Sequence, residues 1–388
     1  MERFDTAFFD AFRDRSGTGS IKYGTPPEGA PENLLPMWVA DMDFLSPPAI
    51  GEALARTGKQ GIYGYTEVGG AYWELLRSWY LRRMDWPTET DWYSYIPSVL
   101  GGVSAAILAL TREDDGVLLL EPVYYPFKNI ITGLGRKPVV SELREESGRY
   151  CCDFSDIDEK ASHCKALLLC SPHNPVGRVW EREELEELGR ICKKHDLSII
   201  SDEIHADLVY TPNRHIPMAS VSPELAERTV TCMAPTKTFN MAGLAIAHLI
   251  IPNAELRRRV RRTCSAMGQG AANLMSIAAA TAAYREGEAW LDGLLAYLKD
   301  SRELLYRVFP AGAKVHALPL EGTYLAWLDC RALSEDAEAL EDAFLKKAGL
   351  WLDNGAMFGE SGSGFMRLNF ACPRDTLQEA IRRIESLN

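Results

Sequence analysis

The sequence predicts an α/β fold: a three-layer, mostly parallel sheet between helices, joined to a smaller α+β lobe. Three observations predict it. Short apolar runs alternate with helical patterns through the middle of the chain. Each run is bounded by turn-forming or charged residues, as strands of a parallel sheet are. Beyond about Ala289 the rhythm changes to one long helical pattern followed by short strands.

Taken in order, the N-terminal segment, rich in Pro and Gly up to Pro48, is expected to pack against the second lobe instead of starting the sheet. Strands are expected at Val117–Leu120, Ala166–Cys170, Leu197–Ser201, Val230–Ala234 and Ala245–Ile251. Leu185, Leu188, Ile191 and Cys192 recur at three- and four-residue steps among charged neighbours, the pattern of an amphipathic crossover helix. Ala271 to Tyr284 is apolar enough for a buried helix and shorter than the roughly 20 residues a bilayer crossing needs. Trp290, Leu294, Leu295, Leu298, Leu304 and Leu305 then mark a long helix, followed by short strands near Tyr324–Leu328 and Phe365–Phe370. The expected division is a large domain over 48–286 and a small domain formed by 1–47 and 287–388. Neither an internal repeat nor a Ser/Gly linker is present.

Composition narrows the function classes. The chain has 388 residues, 46% hydrophobic and 25% charged, which is ordinary for a soluble globular protein. Lys and Arg total 42 against 54 Asp and Glu, and a net charge of -12 argues against a nucleic-acid partner. The one basic run, Arg257 to Arg259 with Arg261 and Arg262, reads as a solvated helix face. The first twenty residues scatter charges among apolar positions, so no secretory signal is expected, and no membrane partner. Nine cysteines without a C-x-x-C pair suggest neither a disulfide framework nor a zinc site, and a reducing cytoplasm fits best. The seven histidines have no H-E-x-x-H spacing, so no metal is expected.

In an open parallel sheet the ligand sits beyond the carboxyl ends of the strands. There the sequence places Ser171-Pro172-His173-Asn174-Pro175-Val176-Gly177, Asp202-Glu203-Ile204-His205 and Pro235-Thr236-Lys237. Each has an ordinary structural explanation: N-P-x-G is a turn, an acid after a strand caps a helix, and a lone lysine is solvated. Together, an amide, an acid and a lysine at three strand ends match what a pyridoxal ring needs. That set is a lysine to hold the aldehyde, a carboxylate at the pyridinium nitrogen and a donor to the phenolic oxygen. Leu100-Gly101-Gly102 forms a glycine-rich turn opening onto a helix whose free N–H groups suit a phosphate. Tyr124 and Tyr125 place aromatic rings at the same edge, where one could stack on a planar cofactor.

These motifs, in this order, resemble the fold type I pyridoxal-phosphate enzymes, the aspartate aminotransferase superfamily in its class I/II branch. Within it, residues 35–44 (LPMWVADMDF), 63–66 (YGYT), 201–208 (SDEIHADL) and 234–240 (APTKTFN) resemble the cystathionine β-lyase, or C–S lyase, group. The resemblance implies pyridoxal 5'-phosphate held by Lys237 as a Schiff base. It implies Asp202 at the pyridinium nitrogen, Asn174 and His205 at the phenolic oxygen, and Tyr124 stacked on the ring. The Leu100-Gly101-Gly102 backbone and Thr236 would take the phosphate. Arg367, with Ala40 and Asn174, would hold the substrate. Tyr65 would reach the neighbouring subunit's site, so a homodimer is implied. Two positions depart from the family pattern. A serine three residues before the lysine and an arginine eight after it, both common phosphate ligands, are here Ala234 and Ala245. The expected activity is β-elimination from L-cystathionine or a related cysteine conjugate, giving a thiol, pyruvate and ammonia. An aminotransferase would share every cofactor contact and stays open as the alternative, as does a lesser role in binding a regulatory partner.

Overall fold

The structure is a computed structural model that describes residues 4–387. A seven-stranded sheet runs in the order Tyr93–Ile96, Ala247–Ile250, Thr229–Met233, Ser198–Asp202, Cys164–Cys170, Gly116–Glu121, Lys137–Glu142. Only Ala247–Ile250 runs antiparallel to its neighbours. The five expected strands are present within two residues at either end. They are legible because a strand covered on both faces is apolar throughout, and Gly116–Glu121 and Thr229–Met233 are buried at every position. Tyr93–Ile96 and Lys137–Glu142 were not expected from the sequence. They are the two edge strands, only partly buried, and carry no continuous apolar run.

Helices cover both faces. Val99–Leu110 and Ala254–Ala266 bury Val103, Ile107, Leu256 and Val260 against one. Arg182–Lys194 and Phe154–Ala161 bury Leu185, Leu188, Ile191 and Ile157 against the other. A second, antiparallel sheet has the order His316–Ala317, Leu325–Asp329, Phe365–Asn369, Asp353–Asn354. The 21-residue helix Glu288–Val308 packs Trp290, Leu294 and Leu298 into the core on this side. The N-terminal segment joins it. Phe9 packs on Trp290 and Tyr297, with centroids 5.8 and 5.4 Å away, and Leu35–Pro36 pairs in parallel with Leu350–Trp351. No helix among the described residues is long and apolar enough to cross a membrane.

Two expectations need correcting. Gly101 and Gly102 do not form a turn ahead of the helix. They lie in its first turn, because Ser98 is the N-cap and its Oγ accepts from Gly101 N at 3.0 Å. A Cβ on Gly102 would stand 2.7 Å from Leu249 Cδ2, so glycine lets this helix lie close on the sheet. Nor is the basic run simply a solvated face. Arg257 is buried, donates to the carbonyls of Ile251 and Pro252 and pairs with Asp91 at 2.7 Å. Arg261 donates to Ser94 Oγ and to the carbonyls of Asp91 and Tyr93. Arg261 ties the helix to the start of the edge strand, and Arg257 ties it to the backbone just past Ala247–Ile250.

Candidate active site

The carboxyl ends of the central strands open onto a cavity of about 240 Å³ whose wall includes Ala40, Leu100, Tyr124, Asn174, Asp202, His205, Thr236 and Lys237. Asp202 is the last residue of its strand and is 3% exposed. Its carboxylate accepts from Ile204 N at 3.1 Å, and burial pushes its pKa up to about 7. The turn after it delivers His205, buried, with Nδ1 bonded to nothing in the protein. Burial, then the nearby Lys237 and Arg367 charges, lower its pKa to about 3, so the ring is neutral.

The next strand, Thr229–Met233, leads into the short helix Pro235–Thr238, which carries Thr236 and Lys237. Lys237 Nζ donates to the Ala40 carbonyl at 2.5 Å. Burial lowers its pKa to about 8, and the charge of Asp41 works in the opposite direction. Asn174 comes from the loop after Cys164–Cys170, where the backbone turns sharply at Gly177 (φ 68°). A Cβ on Gly177 would fall 2.0 Å from Leu320 Cδ1, so the turn needs glycine twice over. Tyr124 follows Gly116–Glu121, and burial pushes its hydroxyl up to about 12, leaving a neutral aromatic face.

The smaller sheet contributes Arg367, which is 3% exposed. Its Nη1 donates to Asn174 Oδ1 at 2.9 Å, and its Nη2 donates to the Trp38 carbonyl at 3.0 Å and pairs with Asp353. The Phe358 ring centroid lies 4.8 Å from the guanidinium carbon, and Nε has no protein partner. Because Asn174 Oδ1 is committed to Arg367, its Nδ2 is the end left to donate. The motifs contained no signal for Asp353 or for Tyr324, whose hydroxyl donates to the Ala40 carbonyl at 2.9 Å. Tyr324 lies in a stretch read only as a strand, and Asp353 falls between the two strands expected there.

Other expected residues fall differently. Leu100 reaches the cavity wall, whereas Gly101 and Gly102 contribute to the helix start behind it. Ala245 lines the cavity with φ 47°, so no arginine stands there, and Lys237 is the only Lys or Arg in the wall. Tyr65 is fully exposed and lines an outer groove with Ala271 to Met275 instead of its own chain's cavity.

The donor set fits a planar pyridine aldehyde carrying a phosphate. The Asp202 carboxylate in the cavity wall could accept from a ring N–H, His205 and Asn174 Nδ2 retain unused hydrogen-bonding capacity, and a capped helix start with Thr236 offers neutral donors to an anion.

The family model described as aminotransferase class I and II matches residues 33–384. The chain is 38% identical to cystathionine beta-lyase PatB of Bacillus subtilis (strain 168), covering 97% of this chain and 99% of that protein. It superposes with a TM-score of 0.95 on a PLP-bound putative aminotransferase from Clostridium difficile 630, at 40% identity over 98% of this chain and 99% of the other. It superposes with a TM-score of 0.91 on a PLP-bound C–S lyase from Staphylococcus hominis, at 31% identity over 98% and 97% of the two chains.

Proposed function

The chain belongs to the class I and II aminotransferase family, and we propose that it is a pyridoxal-phosphate-dependent carbon–sulfur β-lyase acting on L-cystathionine or a related L-cysteine conjugate. The observation that carries the chemistry is the meeting of Lys237, Asp202 and Asn174 in one cavity, with Arg367 bonded to Asn174. The choice of lyase rests on the near full-length similarity to a cystathionine beta-lyase.

In this reading Lys237 Nζ would hold the cofactor covalently, Asp202 would keep its ring nitrogen protonated, and Asn174 and His205 would address its phenolic oxygen. Tyr124 supports the ring face. Leu100 at the helix start, with Thr236, would take the phosphate, since the Gly101 and Gly102 amides are already bonded to Ser98. Bound pyridoxal phosphate supplies an electron sink for the charge left when the substrate Cα loses its proton. Arg367 would receive the substrate carboxylate through the Nε that no protein group occupies. Ala40 and Asn174 flank that carboxylate. Lys237 Nζ would also take the substrate's α-proton, and its lowered pKa of about 8 suits a base working near neutrality. Loss of the Cβ thiolate then gives a thiol and aminoacrylate, which hydrolyses to pyruvate and ammonia.

We also infer a cytoplasmic homodimer in which Tyr65 completes the neighbouring site, with the large domain spanning 48–286. The exposure of Ile62, Tyr63 and Tyr65, at 80%, 65% and 105%, supports a covered surface in the assembly. The direct test incubates purified protein with L-cystathionine and no keto acid. Pyruvate and homocysteine in equal amounts are expected. Turnover that depends on a keto acid, releases no pyruvate and converts the cofactor to its pyridoxamine form would assign an aminotransferase instead.

A further inference from the structure

The Ala40 carbonyl is shared. Lys237 Nζ donates to it at 2.5 Å and the Tyr324 hydroxyl at 2.9 Å, and Tyr324 is wholly buried. The carbonyl does not move freely between them. Its neighbours Val39 and Asp41 are held through their own carbonyls by Asn369 Nδ2, both at 2.6 Å, and the Asp41 carboxylate is held by Arg15. Lys237 therefore faces one rigid acceptor, with the charged or titratable groups Asp41, Arg367, Asp202 and His205 around it.

We propose that Tyr324 is a positioning residue for Lys237: by occupying part of the Ala40 carbonyl it weakens that oxygen's hold on the lysine ammonium and keeps the amine available as a base. A carbonyl oxygen has two lone pairs drawn from one pool of electron density, so a second donor weakens the first. An acceptor binds an ammonium more strongly than an amine, and whatever weakens the acceptor lowers the lysine's affinity for its proton. The position of Tyr324 also fixes where the amine goes once released: onto Ala40, at the wall beside the substrate-carboxylate site.

This inference rests on the reading of Lys237 as the proton-abstracting base, but its test does not need turnover. In the full-length chain freed of cofactor, the pH dependence of Lys237 modification by an amine-reactive reagent is read by mass spectrometry of the peptide carrying it. Tyr324→Phe is expected to raise the midpoint by about half to one unit, a roughly three- to tenfold gain in proton affinity. The acidic limb of kcat in the holoenzyme should move the same way. Replacing Tyr324 by a difluorotyrosine, a stronger donor that keeps the ring, should move both downward, which covers the case of a Phe variant that misfolds. Unchanged midpoints, or shifts of the same sign in both variants, would overturn the proposal. A wild-type holoenzyme that releases no pyruvate would sink the lyase reading while leaving these midpoints measurable.

Discussion

The ring side of the site and the Arg367 cluster beside it are built in opposite ways. At the ring end, Asp202 and Lys237 follow adjacent strands of one sheet, and the protein uses little of their hydrogen-bonding capacity. Asp202 accepts one backbone N–H, and His205 Nδ1 is bonded to nothing. Burial, the largest cause in each case, shifts the pKa values of Asp202, His205 and Lys237. At the carboxylate end, Arg367 is crowded by Asn174, the Trp38 carbonyl and Asp353, and Nε has no protein partner. The first end is an electrostatic environment that a ligand completes; the second is a rigid fork already aimed.

The contrast can be broken in order of expected effect. Lys237→Ala should abolish the cofactor's visible band and lower pyruvate release by roughly 10⁴-fold or more, since covalent attachment and the base are lost together. An absorbance spectrum and a coupled assay check this. Arg367→Ala should leave the band in place and lower kcat/KM about 10²- to 10³-fold, mostly through KM, because truncating a buried charged fork removes binding and leaves Asp353 uncompensated. Loss of the band in Arg367→Ala would mean the two ends are not separable.

Asp202→Asn sharpens the comparison through pH. In the cofactor-free chain the folded pKa of Asp202, about 7, lies above the ordinary carboxylate value of 3.8. Its stabilising contribution is therefore complete below about pH 4 and is lost as pH rises through 7. The stability of the wild type relative to Asp202→Asn should fall by something on the order of 3 kcal/mol between pH 4 and pH 8, read from urea midpoints. Taking the difference cancels the opposite trend of His173, His205 and His248, whose lowered pKa values destabilise the fold as pH falls below 6.5. Cofactor should remove much of the effect, because an opposite charge at the ring nitrogen favours the carboxylate. The smallest effect belongs to the phosphate side. Ala245→Gly should stabilise the cofactor-free chain by about 1 kcal/mol, because φ 47° costs an alanine what glycine avoids. Equal or lower melting temperature would show that the neighbouring backbone does not relax there.

Legibility followed the same divide. Asp202, Thr236 and Lys237 could be read because each lies at or shortly past the end of an apolar strand, and a strand's end fixes where the next residues emerge. The edge strands Tyr93–Ile96 and Lys137–Glu142 could not, because one side of each is unpaired and its sequence is correspondingly mixed. Arg257 and Arg261 looked like surface charge, because nothing in a helix's own periodicity reveals which backbone carbonyls it will meet.

By itself the sequence determined the α/β rhythm, the strand ends that carry the ring-side chemistry, and the absence of an arginine or serine at Ala245 and Ala234. Tertiary structure alone decided the rest. Arg367 meets Asn174 across 193 residues and Lys237 meets Ala40 across 197. Asp353 and Tyr324 enter the site only because the smaller sheet and the N-terminal segment close over the strand ends. Burial patterns are written locally, residue against neighbour, and survive in the linear sequence. The shared carbonyl at Ala40 and the crowded guanidinium at Arg367 are products of distant segments packing together, and no local pattern encodes them.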